Sequence, residues 1–205
     1  ANADGNYIGF MGATSWEGFY LQEADGTVWH TAKSGSTATP FFLTTDAAEG
    51  TWDLWFPGQS GCYYTNVNTT KKLWTALWMP TLNVSGIDGG ITMEYKRDKN
   101  QWQGIFTATG AGTINIQMNG TGKLYDNTSV SGADNSIDDT KAKDTPFAFS
   151  GSANELTFNT GTNVSAGNIT VNVPAAGECT LIIDLNDPQA WKVEVTEGGS
   201  IEPTY

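Results

Sequence analysis

Gly50-Thr-Trp-Asp-Leu-Trp-Phe-Pro57, followed by Cys62 and Trp74, is matched by Gly167-Asn-Ile-Thr-Val-Asn-Val-Pro174, followed by Cys179 and Trp191. Glycine, proline, cysteine and tryptophan coincide at one offset (167 − 50 = 117), and Phe41 and Phe158 extend it upstream. A second pair of stretches matches at a smaller offset (102 − 16 = 86): Trp16-Glu-Gly-Phe-Tyr20 with Gly26-Thr-Val28, against Trp102-Gln-Gly-Ile-Phe106 with Gly112-Thr-Ile114. Rare residue types that recur in order mark a tandem duplication. Two copies of one fold are therefore expected, the second longer by 31 residues (117 − 86) between the anchors.

Alternation is the dominant period of the chain. Thr113-Ile-Asn-Ile-Gln-Met118, Asn168-Ile-Thr-Val-Asn-Val173 and Trp191-Lys-Val-Glu-Val195 all interleave apolar and polar residues, the pattern of half-buried strands. Cys179-Thr-Leu-Ile-Ile-Asp-Leu185 puts Leu181, Ile183 and Leu185 on one face, and the turn cluster Asn186-Asp-Pro-Gln189 joins it to the last strand as a hairpin. The expected fold is all-β: two tandem antiparallel β-sandwich domains, immunoglobulin-like or carbohydrate-binding-module-like, over residues 1–82 and 83–197, with a tail over 198–205. The extra residues of the second copy fall mainly in a long insertion over 120–145, rich in Asn, Asp, Ser, Thr and Gly. Its Asp126, Asp134, Asp138, Asp139 and Asp144 follow no defined calcium-loop spacing, so a solvated loop is the favoured reading and no metal is assigned.

A net charge of −12 argues against nucleic acid, whose phosphates select basic patches. No apolar run is long enough to span a membrane. The chain opens Ala1-Asn-Ala-Asp4, without methionine or an apolar leader, as expected of a processed or a trimmed chain. Cys62 and Cys179 begin the same strand in different copies, so buried thiols are expected rather than a bridge. The only histidine, His30, aligns with Ile116 on an inward face, which leaves no Ser-His-Asp triad and no histidine-rich metal site. Glu17, Glu94 and Asp53 are available carboxylates, but no spacing singles out a glycosidase pair. The chain is read as non-catalytic, with no cofactor.

The duplication also sorts the aromatics. Trp16 with Trp102 and Trp74 with Trp191 are shared by both copies and are assigned to the core. Trp52 aligns with Ile169 and Trp78 with Val195, so both are expected to point inward. Trp55 aligns with Asn172, Trp29 with Asn115 and Tyr63 with Thr180, all on the polar face, so these three are expected outside. Asp53 shares the face of Trp55, and Lys72 follows in the next turn. Trp55, Trp29, Tyr63, Asp53 and Lys72 thus form the expected ligand-binding set, with flat rings to stack on sugars and polar groups to fix hydroxyls. The same exposed rings would equally suit docking onto another protein domain.

The closing stretch Glu178-Cys-Thr-Leu-Ile-Ile-Asp-Leu-Asn-Asp-Pro-Gln-Ala-Trp-Lys-Val-Glu-Val195 resembles the terminal hairpin of the tandem β-sandwich domains in SusE/SusF-type surface glycan-binding lipoproteins of gut Bacteroidetes. The likeness covers the second copy best and reaches the first only through the repeat, whose irregular start departs from the family pattern. It implies non-catalytic binding of a starch-like or other polysaccharide or oligosaccharide. It further implies a lipid-anchored precursor on the extracellular face of the outer membrane, beside other glycan-uptake proteins.

Overall fold

Glycine-rich turns between short alternating stretches leave the chain little option but antiparallel pairing, and the computed structural model, which describes residues 3–50, 53–132 and 136–200, is all-β. The only helical elements among the described residues are 3-10 turns at Arg97–Lys99 and Asp139–Lys141. No helix is long and apolar enough to cross a membrane among these residues. The chain divides into two compact, sandwich-like units. The first comprises Ala1–Gly9, Ala13–Trp78 and Lys123–Lys143; the second comprises Phe10–Gly12, Met79–Gly122 and Asp144–Tyr205.

The strands of the first copy are β1 (Asn6–Ala13), β2 (Gly18–Phe19), β3 (Leu21–Gln22), β4 (Val28–Ser34), β5 (Thr37–Thr44), β6 (Leu54–Trp55), β7 (Gly61–Asn68) and β8 (Leu73–Met79). β1 pairs with β7 and β7 with β8, while β8 continues through β5 and β4 to β3; β2 and β6 form a separate ladder. The core is aromatic. Phe56 lies 4.7 Å from both Phe19 and Tyr63, and Trp74 lies 4.9 Å from Phe41 and 5.1 Å from Phe19.

The second copy holds β9 (Asn83–Ser85), β10 (Glu94–Lys96), β11 (Gln101–Ala108), β12 (Gly112–Tyr125), β13 (Lys143–Ser152), β14 (Glu155–Thr160), β15 (Ile169–Val173), β16 (Gly177–Asp184) and β17 (Lys192–Glu197). β10, β11, β16 and β17 make one sheet; β12 pairs with β9 and β15, and β13 with β14. Trp102, Phe106, Cys179, Leu181 and Ile183 are buried from the first sheet, and Ile116, Ile169, Val171 and Val173 from the other strands. Cys62 and Cys179 are both buried, and neither forms a disulfide.

One pairing scheme serves both copies. β1–β7–β8 corresponds to β11–β16–β17, β2–β6 to β12–β15, and β4–β5 to β13–β14. The later strands keep the expected offset of 117, but the early ones do not keep 86. Gly18 faces Trp55 and Thr113 faces Asn172, so with Trp55 set on Asn172 (172 − 55 = 117) Gly18 falls on Thr113 (113 − 18 = 95). The resemblance of Trp16 to Trp102 is therefore coincidental. Trp102 is buried in β11, whereas Trp16 lies in a turn and is 52% exposed, not in the core.

The insertion is not a bare solvated loop. Residues Lys123–Lys143 group with the first unit, where Lys123, Leu124 and Tyr125 extend β12 along Trp78, Leu77 and Ala76 of β8. Tyr125 and Ile137 enter the aromatic core, with Val130 and Ala142 packed against it. The acidic side chains serve this local structure. The Tyr125 hydroxyl donates to Asp139 (2.9 Å), Lys143 Nζ to Asp126 (2.8 Å), and Thr140 N–H to Asp138 (3.0 Å). Among the described residues no cluster of three His, Cys, Asp or Glu could hold a metal; Asp134 lies outside them.

Removing the Tyr125 ring leaves a cavity among Tyr63, Phe56 and Ile137, so Tyr125→Ala is expected to destabilise the first unit by about 3 kcal/mol, read by denaturant unfolding. For the same reason a fragment ending at Met79 should fail to unfold cooperatively. Burial raises the Asp126 carboxyl, but hydrogen bonds from Lys143 and Thr128 outweigh it and hold the group below its ordinary value. A depressed folded-state pKa gives stability that is full above the unfolded value of about 4 and lost as pH falls through the lower folded one. Asp126→Asn should therefore cost about 1 kcal/mol at pH 7 and almost nothing near pH 2, which urea unfolding at the two pH values would show.

Candidate functional site: an exposed aromatic face on the first domain

β2 and β6 have opposite duties on their two faces. Phe19 and Leu54 pair with each other and point to the core, as does Phe56. Side chains alternate across a strand, so Gly18 and Tyr20 on one strand and Asp53 and Trp55 on the other share the outer face. Gly18 lies directly opposite Trp55. Because Phe56 N–H donates to the Glu17 carbonyl (2.9 Å), this is the narrow type of antiparallel pair, in which side chains are closest. Tyr20 is 62% exposed, and Trp55 is half-buried, its inner side on the core.

Trp16, also exposed, lies in the turn before β2. Its φ of 58° is left-handed, a conformation that costs a bulky residue about 1–3 kcal/mol and persists only where neighbours over-determine it. Trp16 N–H donates to Pro57 O (3.2 Å), and Glu17 N–H donates to Thr14 O (3.2 Å). The Glu17 carboxylate accepts the Thr14 N–H (2.7 Å) and hydroxyl (3.1 Å), and Ser15 N–H donates to the Ser60 hydroxyl (3.1 Å). The indole rests on Gly58, where a Cβ would come within 2.8 Å of Trp16 Cζ2. Trp78 braces the same loop, its indole N–H donating to Ser60 O (3.1 Å).

The polar atoms of this face are unused. Among the described residues the Trp16 and Trp55 indole N–H groups, the Tyr20 hydroxyl and the Asp53 carboxylate make no hydrogen bond or ion pair. The equivalent face of the second domain is entirely different. Thr113, Asn115, Thr170 and Asn172 occupy it, with the Thr170 hydroxyl donating to Asn115 Oδ1 (2.7 Å). The rings are a property of the first copy alone.

Of the five residues expected from the sequence, Trp55 and Asp53 share this face and three lie elsewhere. Trp29 is 7% exposed, its indole N–H donating to Glu23 Oε1 (2.8 Å). The register explains the difference. Thr31 pairs with Leu43, and Phe147 with Thr160, 117 positions after Leu43 (160 − 43), so β4 corresponds to β13 and not to β12. Trp29 then falls on buried Thr145 of β13, the alignment having shifted by a whole strand. By the same shift His30 is only half-buried.

Tyr63 is fully buried, its hydroxyl donating to Gln59 O (2.6 Å). The face of β7 it occupies is covered by Tyr125 and Ile137, and its counterpart Thr180 is buried too. Lys72 is exposed but sits in the β7–β8 turn, on a different sheet from Trp55. Trp78 is half-buried and packs against the core on the face of Trp74 and Ala76, and Trp52 lies outside the described residues. Sequence reasoning missed Trp16, Gly18 and Tyr20, although plain alternation through Gly18-Phe-Tyr-Leu21 already separates Tyr20 from the inward Phe19 and Leu21.

The arrangement defines a tandem sandwich-like β-protein with a single-copy aromatic surface. The chain belongs to the family described as a domain of unknown function (DUF5114), which matches residues 83–199, and residues 1–79 match a second such domain (DUF5111). No curated protein and no solved structure matches the chain.

The Thr14–Glu17 contacts hold Trp16 in its left-handed conformation, so Glu17→Ala should release the ring. The Trp16 indole N–H resonance, assigned by its loss in Trp16→Phe, is expected to broaden or shift in an ¹H–¹⁵N spectrum while those of the buried tryptophans stay put.

Proposed function

We propose that the first domain binds polysaccharide or oligosaccharide without catalysis, on the face formed by Trp16, Tyr20, Trp55 and Asp53. The observation that carries this reading is the combination of exposed rings with unused donors and an unused carboxylate. A sugar ring offers an apolar face of C–H groups and a rim of hydroxyls; the aromatic rings suit the first and the free polar atoms the second. A partner protein would find the same apolar area, but the donors and the acceptor interleaved with it favour a ligand dense in hydroxyls. A strained aromatic held outward rather than turned into the core also supports a binding role. The net charge of −12 speaks against polyanionic partners.

On this reading, and with the resemblance of the closing hairpin, the protein is a SusE/SusF-like accessory of glycan uptake. It is exported, lipid-anchored in its precursor, and displayed on the outer membrane of a Bacteroidetes cell among other uptake proteins. The second domain acts as a spacer or carries a different site.

Affinity electrophoresis of the whole chain through gels containing a panel of neutral and acidic polysaccharides tests the reading. Retardation by at least one glycan is expected, weakened about tenfold by Trp55→Ala or Tyr20→Ala, the equivalent of about 1.4 kcal/mol for each lost stacking contact. Unretarded migration in every gel would remove the proposal.

A further inference from the structure

Glycine inside a strand weakens it, and commonly marks a place where another group approaches the backbone. Gly18 has no backbone reason to be glycine. Its φ is outside the left-handed region, and a Cβ built on it would make only ordinary contacts, 3.7 Å from Asp53 Cβ and Oδ2 and from Leu54 O. A Cβ fits there, and residues with larger side chains, β-branched ones above all, form strands better than glycine. What the missing side chain does is leave a gap bordered by Asp53, across the narrow pair from the half-buried Trp55. The corresponding pair in the second domain is Thr113 beside Asn172, with neither an opening nor a ring.

Trp16 and Tyr20 lie two residues to either side of Gly18, Trp16 in the turn before β2 and Tyr20 just after it, so the chain between them spans up to roughly 13 Å. A single sugar ring covers one indole and cannot bridge that span. We infer that Trp16, Trp55 and Tyr20 form a continuous three-ring track, open in the middle because residue 18 is glycine, and that its ligand is a linear glycan chain stacked on the three in succession. The sugar over Trp55 lies beside the Asp53 carboxylate, which accepts its hydroxyls. Gly18 is then a specificity-determining residue: it admits the middle sugar and thereby links the two outer contacts into one. This rests on the glycan-binding reading above.

The experiment measures binding of the whole chain to the mono- to hexasaccharides of whichever polysaccharide retards it, by titration calorimetry, alongside Gly18→Ala and Gly18→Val. Affinity is expected to rise at least tenfold from mono- to trisaccharide and then to level off. Gly18→Val should lose at least tenfold toward the trisaccharide with Tm unchanged or higher, and Gly18→Ala should lose less. Should valine disturb the fold, alanine, whose one methyl group has the 3.7 Å clearance already noted, carries the comparison. Affinity independent of chain length, or a trisaccharide affinity unaltered in a folded Gly18 variant, overturns the three-ring track while leaving glycan binding standing. A parent chain that binds no glycan removes both.

Discussion

The inward packing of Phe19 and Phe56 is the contact on which the exposed face depends. β2 and β6 are paired over only two residues each, and a two-stranded ribbon of that length has no stability of its own in water. What holds it is the cluster beneath: Phe19 and Phe56 against each other, Trp74 edge-on to both, and Tyr63 tilted on Phe56. The strand period does the rest. Once Phe19, Leu54 and Phe56 are drawn into this cluster, Gly18, Tyr20, Asp53 and Trp55 must face the other way. A short ladder nailed to a rigid aromatic floor is a better mount for flat rings than a free loop would be.

The same cluster explains the destination of the insertion. The first copy is small, and the core that Tyr63 on β7 shares with Phe56 is completed by residues from outside it. Tyr125 and Ile137 close it, and the Asp126–Lys143 and Asp139–Tyr125 contacts keep the segment folded. An acidic stretch that looks like a solvated loop when read in isolation becomes a structural part of the first unit, because the apolar residues it carries are few but spaced between well-satisfied turns. Burial also pushes the Tyr63 and Tyr125 phenols upward, which keeps both rings neutral in the core.

Much of this was legible in the sequence, and each failure has an identifiable physical cause. Alternating stretches such as Ile169–Val173 and the glycine, proline, cysteine and tryptophan offsets reveal an all-β duplication. Trp55 and Asp53 were placed on an outer face because the 117-residue register is correct where they lie. Trp29 falls on Asn115 of β12 only because the 86-residue anchor rests on one tryptophan motif; its counterpart is Thr145, one strand further on, where the position is buried. Tyr63 was misplaced for a different reason. Its polar counterpart Thr180 signals an outer face only if nothing covers that face, and coverage by residues some sixty positions downstream leaves no trace in local pattern. The left-handed turn at Trp16 leaves no trace for the same reason, since it also depends on Pro57, Gly58 and Ser60 of the β6–β7 loop.

The corrected register gives the comparison between the copies its meaning. The ladder that carries Trp55 opposite Gly18 in the first domain carries Asn172 opposite Thr113 in the second, and Tyr20 and Asp53 correspond to Asn115 and Thr170. Part of the second set bonds to itself, Thr170 donating to Asn115, with Gln117 donating to Asn168 beside it. The first set does not, and instead exposes rings, leaves a gap and carries a strained turn. Each of these features costs stability, and the second domain shows that the fold has no need of them. Their joint presence on one face, in one copy only, is what a ligand would explain and packing does not.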